Sequence, residues 1–409
     1  MPTRHADSRG ALGSGKPPIG LLLTGGGARA AYQVGVLSGV FQILDPSHSA
    51  SFENPFPIIC GSSAGAINAA AMACRAHDPH TAIDRIRRLW QDLNTDAVYR
   101  ADAAGLFYTG LRWFAMLAAG WLVPALRNQN RRSLLDNQPL NDLLSATLDF
   151  DRLRENLAHR HLDALAITAT GYTSGEHLTF YQANRTIQPW RRSLRRAVPC
   201  TIGVHHLMAS SSIPFVFPAQ AVFFGGQTEW CGDGSMRQLA PMSAAIHLGA
   251  KNVFVIGTGH QDDTHPEQRN IDPPYPSLAQ IGGHALSNIF LDSLSMDIER
   301  TERINELLGQ LPPNVLQSQS LRPVRTFTIT PSRSLDSIAM EYLHQMPKAA
   351  RTLFRVLGVS SKSGATGGGG LVSYLLFEAG YTQELIKLGQ ADSMIHAEKI
   401  RAFFKEAQE

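Results

Sequence analysis

Ser63 stands at the centre of Gly61-Ser62-Ser63-Ala64-Gly65, after the apolar run Phe56-Pro57-Ile58-Ile59-Cys60 and before the small-residue stretch 66–73. That order reads as strand, sharp turn, helix. A serine at the apex of such a turn has its hydroxyl pushed clear of the backbone, and flanking glycines allow the close approach that a strained turn requires. The chemistry offered is nucleophilic attack on an acyl carbon. A serine needs a base, and Asp233, flanked by Gly232 and Gly234 at the end of a short strand, has an accessible carboxylate. An Asp-Gly β-turn is the more ordinary explanation of the same residues. A carboxylate of ordinary pKa, about 3.9, is also a weak base for an alcohol. Burial must raise its basicity, or an oxyanion site must carry most of the barrier. Among fifteen histidines, His247 and His260 follow Asp233 in Ser, Asp, His order, which keeps a Ser–His–Asp arrangement open.

A second glycine-rich turn, Gly25-Gly26-Gly27, precedes a helical pattern. Consecutive glycines let backbone amides converge on one spot, and the helix N-terminus adds positive partial charge. Such a nest cradles a phosphate or an oxyanion. A dinucleotide fingerprint fits badly: Ala30 occupies the third glycine position, and no strand leads into Asp45. With a candidate nucleophile one unit later in the same sheet, the oxyanion role is expected.

These residues must be positioned by strands and helices. The run 19–24 with the helical pattern 30–44, then the strand, turn and helix around Ser63, make two strand–turn–helix units in succession, which predicts a parallel sheet covered by helices. Strand patterns return at 164–170 and 178–181 as a hairpin, at 216–224 and 228–231, at 252–257 and at 326–330. A helix is expected at 205–212, another at 242–248, and a long one over 281–308. The apolar stretch 106–126 is interrupted by Gly110 and Arg112 and reads either as a buried core helix or as a lipid-contacting lid. The chain beyond 336 is helical, broken by a glycine-rich joint at 360–370 and ending in a helical hairpin, 371–388 and 391–404.

Composition sets the frame. Of 409 residues, 44% are hydrophobic and 17% charged, which fits a globular protein with a substantial core. A net charge of +3 is too small to argue for nucleic acid, although arginines cluster at Arg85, Arg87 and Arg88, at Arg131 and Arg132, and at Arg191, Arg192, Arg195 and Arg196. Residues 1–17 are polar and rich in Gly, Ser and Pro, and read as a disordered lead. The cysteines Cys60, Cys74, Cys200 and Cys231 lack metal spacing and are expected reduced, as in a cytoplasmic protein.

Taken together, Gly25-Gly26-Gly27-Ala28-Arg29, Gly61-Ser62-Ser63-Ala64-Gly65 and Asp233-Gly234, in this order, resemble the patatin-like phospholipase family. The flanking Ala209-Ser210-Ser211-Ser212-Ile213-Pro214 is similar as well. The resemblance implies an α/β fold, a three-layer sandwich with a mainly parallel central sheet between helices, over 18–335, with 336–409 as a helical C-terminal extension. It implies a Ser–Asp dyad, with Ser63 as nucleophile and Asp233 as base. Gly25, Gly26, Gly27 and Ala28 would form the oxyanion hole, with Arg29 beside it, and Gly61, Gly65 and Gly234 would support the motifs. The implied activity is hydrolysis of acyl esters in a phospholipid or similar lipid, of phospholipase A or lysophospholipase type, without metal or cofactor. A Ser–His–Asp esterase and a non-hydrolytic lipid-binding protein on the same fold are the alternatives. Peripheral contact with a membrane is expected if 106–126 and the arginine clusters touch lipid. Two departures from the family pattern stand at Ala30 and Ser235.

Overall fold

A computed structural model describes residues 17–100, 133–260, 275–290, 292–319, 321–359 and 368–407. The stretch 106–126, the lead 1–16 and the first part of the glycine-rich joint, 360–367, lie outside the described residues.

The chain opens with β1 (Ile19–Leu23), a single 3-10 turn at Gly27–Ala30 and α1 (Ala31–Leu44), followed by β2 (Ile58–Ser62) and α2 (Ala64–Ala73). These are the two expected strand–turn–helix units. Next comes α3 (Pro79–Gln91), which starts where Asp78 accepts a hydrogen bond from the Thr81 amide at 3.1 Å and Pro79 fills the first helical position. The short α4 (Thr95–Val98) leads on to α5 (Gln138–Thr147) and α6 (Phe150–Ala158). Then follow β3 (Ala164–Gly171), β4 (His177–Ala183), β5 (Arg191–Arg192), β6 (Arg195–Pro199) and α7 (Val204–Ser210). The hairpin β7 (Gln220–Phe224) and β8 (Gln227–Asp233) ends in a 3-10 turn at Gly234–Arg237, before α8 (Ser243–Leu248) and β9 (Asn252–Ile256). Over the expected long helix, the described residues are helical on either side of residue 291, as α9 (Leu278–Phe290) and α10 (Asp292–Gly309). After α11 (Pro313–Ser318), β10 (Arg325–Ile329) closes the sheet edge.

The described strands form one sheet in the order β10-β9-β1-β2-β3-β4-β6-β5, with β8 beside the end of β3 and β7 outside it. From β10 to β3 every pairing is parallel, and β4 turns back antiparallel on β3. β1, β2, β3 and β9 are buried along their whole length, as expected of strands covered on both faces. Their alternate side chains feed two cores. Leu21, Leu23, Ile59, Ile167 and Phe254 join α1, α2 and the C-terminal helices on one face. Leu22, Cys60, Ala166 and Val255 meet Ala245 and Leu248 of α8 on the other. The fold is the expected α/β sandwich.

The C-terminal helices are α12 (Leu335–Tyr342), α13 (Lys348–Val356), α14 (Gly369–Leu375), α15 (Ala379–Ile395) and α16 (Ala397–Glu406). The ending differs from the two-helix hairpin expected at 371–388 and 391–404: breaks fall instead at 376–378 and at His396, and α15 lies along α1. Gly35 of α1 and Gly389 of α15 allow that approach, because a Cβ on Gly35 would land on the Ile386 carbonyl and one on Gly389 on the Tyr32 carbonyl. The contact is locked by Tyr32, whose hydroxyl donates to Asp392 at 2.8 Å. Phe403 and Phe404 of α16 pack on Phe254 of β9. Within the glycine-rich joint, the described Gly368 and Gly369 are buried at the start of α14.

The arginines Arg191, Arg192, Arg195 and Arg196 sit on the β5–β6 edge hairpin, where Arg191 pairs with Glu176 at 2.8 Å and Arg196 covers the Phe224 ring. No helix among the described residues is long and apolar enough to cross a membrane.

Candidate active site

The parallel strands deliver two turns to one edge of the sheet. β2 ends at Ser62, and Ser63 follows with φ 52° and ψ −130°, a conformation that few residues other than glycine tolerate. The turn is tight because α2 starts at once. Gly65 touches the strand-end backbone of β1, and a Cβ there would strike the Leu23 carbonyl at 2.5 Å. Gly61 and Gly234 likewise sit against backbone, Gly61 on Gly65 and Gly234 on Thr168.

Register brings the acid to the serine. Along β3, the last partner of β2 is Thr168, opposite Ser62. At the next residue, Ala169, the partner becomes Asp233 of antiparallel β8. Ser62 and Asp233 are therefore successive occupants of one side of β3, which sets Ser63, the next residue after Ser62, beside an acid 170 positions away. The Ser63 hydroxyl donates to Asp233 Oδ2 at 2.6 Å, and both side chains are buried. The second carboxylate oxygen, Oδ1, accepts the Ser235 amide at 2.9 Å. The Asp233 backbone is held from both sides, its amide donating to Ser212 O at 2.9 Å and its carbonyl accepting the Thr170 hydroxyl at 2.8 Å. Burial pushes the carboxyl up to about 6, against the opposing pull of its hydrogen bonds from Ser63 and Ser235. The residue is thus a stronger base than an exposed aspartate.

The glycine turn lies next to this pair. Gly27, with φ +55°, lines the same pocket as Ser63. It starts the 3-10 turn, whose first amides have no partner within the turn. Thr258, just beyond β9, fixes the turn by donating to Gly25 O at 2.6 Å. The side chain of Arg29 points elsewhere, into the C-terminal helices. Its Nε donates to Ser373 Oγ at 2.9 Å, and its Nη2 meets Asp336 Oδ1 at 2.5 Å. Ala30 adopts ordinary right-handed angles, so its methyl group imposes no backbone strain on the turn. The other departure, Ser235, serves the acid through its amide.

Sequence reasoning missed Ser210, Thr170 and Ser212. Ser210 Oγ accepts the Ser63 amide at 2.8 Å and so fixes the strained turn. The only available signal was the Ala209–Pro214 segment that accompanies the motifs. The histidine arrangement does not form: among the described residues, neither His247 nor His260 is a hydrogen-bond partner of Ser63 or Asp233. His247 stacks on Trp190 at 4.7 Å and is lowered to about 4 by burial and nearby arginines. His260 faces the Pro331 carbonyl at 2.8 Å. Asp45 is engaged with His80, Ser47 and Ser49 in its own neighbourhood.

A pocket of about 550 Å³, counting its open mouth, has Ser63, Ala64 and Gly27 in its wall. The rest is mainly Leu89, Trp90, Leu93, Leu140, Leu144, Ile213, Phe217 and Phe377. Apart from the serines Ser63 and Ser211 its lining is apolar, so it suits a hydrocarbon chain better than a polar group.

Residues 21–246, more than half of the chain, match the family described as patatin-like phospholipase. The chain belongs to this family, whose general activity is hydrolysis of acyl esters of lipids. Among solved structures it is similar to VipD from Legionella pneumophila, at 12% identity over 94% of this chain and 67% of that one, with a TM-score of 0.33. No curated protein matches the chain.

Proposed function

We propose that the chain is a serine carboxylic-ester hydrolase of phospholipase A or lysophospholipase type, working through Ser63 and Asp233 without a histidine. The observation that carries the reading is the 2.6 Å hydrogen bond from Ser63 Oγ to a buried Asp233 whose pKa is raised to about 6. With the acyl chain in the apolar pocket, Ser63 Oγ attacks the ester carbonyl and its proton passes to Asp233 Oδ2. The tetrahedral oxyanion is held by amides of the Gly25–Ala28 turn. Ser63's own amide is engaged by Ser210, so it is not counted among the donors. Collapse of the intermediate expels the alcohol, which takes the proton from Asp233, and leaves an acyl-enzyme. Water then attacks with Asp233 again as base, which releases fatty acid and restores the hydroxyl.

A base raised only to about 6 remains mostly ionised at neutral pH, so it is available without activation. Its modest strength leaves much of the rate to the oxyanion donors, each of which contributes roughly 10²–10³-fold in well-studied acyl-transfer enzymes. The test is fatty-acid release from phospholipid, lysophospholipid and neutral lipid. Ser63→Ala and Asp233→Asn should each lose at least about 10³-fold in kcat. Activity near that of the wild type in either variant would reject the dyad.

A further inference from the structure

The oxyanion turn Gly25–Ala28 runs straight into Arg29, whose long cationic side chain is 3% exposed. Each hydrogen bond, ion pair and ring contact of that side chain leads to the C-terminal helices. The guanidinium of Arg29 bridges Ser373 of α14 and Asp336 of α12, and its plane lies over the Tyr374 ring at 3.9 Å. Ser373 Oγ in turn donates to the same Asp336 oxygen at 2.8 Å, which closes a three-membered network. The backbone is engaged too. Gly27 packs directly against the Tyr374 carbonyl, so the positive-φ residue of the turn rests on α14. Tyr381 of α15 spans the two helices, with its hydroxyl within hydrogen-bond reach of Leu335 O and Ser373 O. Upstream, the turn is tied to the sheet by Thr258. After Gly26, where no side chain caps the 3-10 turn, it is held by this network and by Asn68, which donates to Ala30 O at 3.0 Å.

We propose that Arg29 is a positioning residue that fastens the oxyanion turn to α12 and α14, making the C-terminal helices part of the catalytic apparatus instead of an appendage. The inference rests on the hydrolase reading above. Arginine suits the task because its planar fork reaches two acceptors while stacking on a ring, which a lysine ammonium cannot do. The bridge sets where the amides of Gly27 and Ala28 point, and a displacement of about 1 Å in such a site costs on the order of 100-fold in rate.

The test compares Arg29→Lys, Asp336→Asn and Ser373→Ala in the full-length protein. Ser373→Ala removes one hydroxyl and leaves the Arg29–Asp336 pair, so it remains informative if a charge variant fails to fold. Hydrogen exchange of the peptide covering 24–30 and turnover of p-nitrophenyl butyrate are measured on each. All three variants should exchange faster in that peptide. They should lose roughly 10–100-fold in kcat with little change in KM. Unchanged exchange overturns the proposal, whatever the ester rates. It is equally overturned if Asp336→Asn and Ser373→Ala keep full kcat while Arg29→Lys loses it, since Arg29 would then act directly on the substrate. A wild type that neither turns over ester nor reacts at Ser63 with a fluorophosphonate rejects the hydrolase reading instead, and the exchange measurement still decides whether the bridge positions the turn.

Discussion

At the scale of the residue, the site turns on one buried carboxyl group. Because Asp233 is raised to about 6 in the folded chain against about 3.9 unfolded, the folded state binds its proton the more tightly. The sign follows. Stability from this group is intact below about pH 4, is lost as pH rises through about 6, and stays lost above. Asn does not titrate, so Asp233→Asn should gain stability relative to wild type between pH 4 and pH 8, by about 3 kcal/mol at two pH units' worth of shift. Denaturant unfolding at the two pH values checks this. Catalysis should move the other way, with kcat/KM rising to a plateau through about pH 6 as the base ionises. The strained serine gives a second comparison. Ser63→Ala and Ser63→Gly both delete the hydroxyl, but only glycine accepts φ 52° and ψ −130° freely. The glycine variant should be the more stable of the two by about 1–3 kcal/mol, read from thermal or urea melts.

At the scale of the element, α1 carries two duties, since it follows the glycine turn Gly25–Gly27 and also packs along α15. The glycine contact between them has no slack. Gly35→Ala should cost about 3 kcal/mol, the upper end of overpacking penalties, and lower the Tm by several degrees in a calorimetric scan. Legibility in the sequence divides along the same lines. β1, β2, β9 and the turns after them were readable because their signals are local, apolar runs that end in glycine and serine. The short α7 was readable as well, with its C-terminal end near Ser210. Three partners of the site were not. Ser210, Thr170 and Ser212 are common residues whose roles arise only when β3, β8 and α7 meet, and no local pattern encodes that meeting. The Ser63–Asp233 contact itself was inferred from motif order, whereas the register along β3 that produces it is a property of the assembled sheet. For Arg29, the motif drew attention to the right residue, but its partner Asp336 is 307 positions away.

At the scale of the whole molecule, the C-terminal helices and the sheet share one core. Phe354, Tyr374, Phe377, Leu385, Phe403 and Phe404 are buried in it together with α1 and β9. Each such side chain contributes about 1.5–3 kcal/mol when fully buried. Their combined loss is as large as a typical domain stability of about 5–15 kcal/mol. A fragment ending at 335 should therefore fail to fold, seen as insolubility or as loss of a cooperative melt, although all the motif residues precede that point. Leu335 itself begins α12, which carries Asp336 towards Arg29, so the helix straddles the boundary expected at 335/336.

The handover on β3 also makes the proposed chemistry fragile in a manner the fold is not. Neighbouring side chains on a strand point to opposite faces, so one extra residue within 227–232 would turn the acid away from its serine while the ladder could still zip up. Divergence by insertion in this hairpin is thus a short road to a folded, inert relative, one that would keep every motif and still hydrolyse nothing.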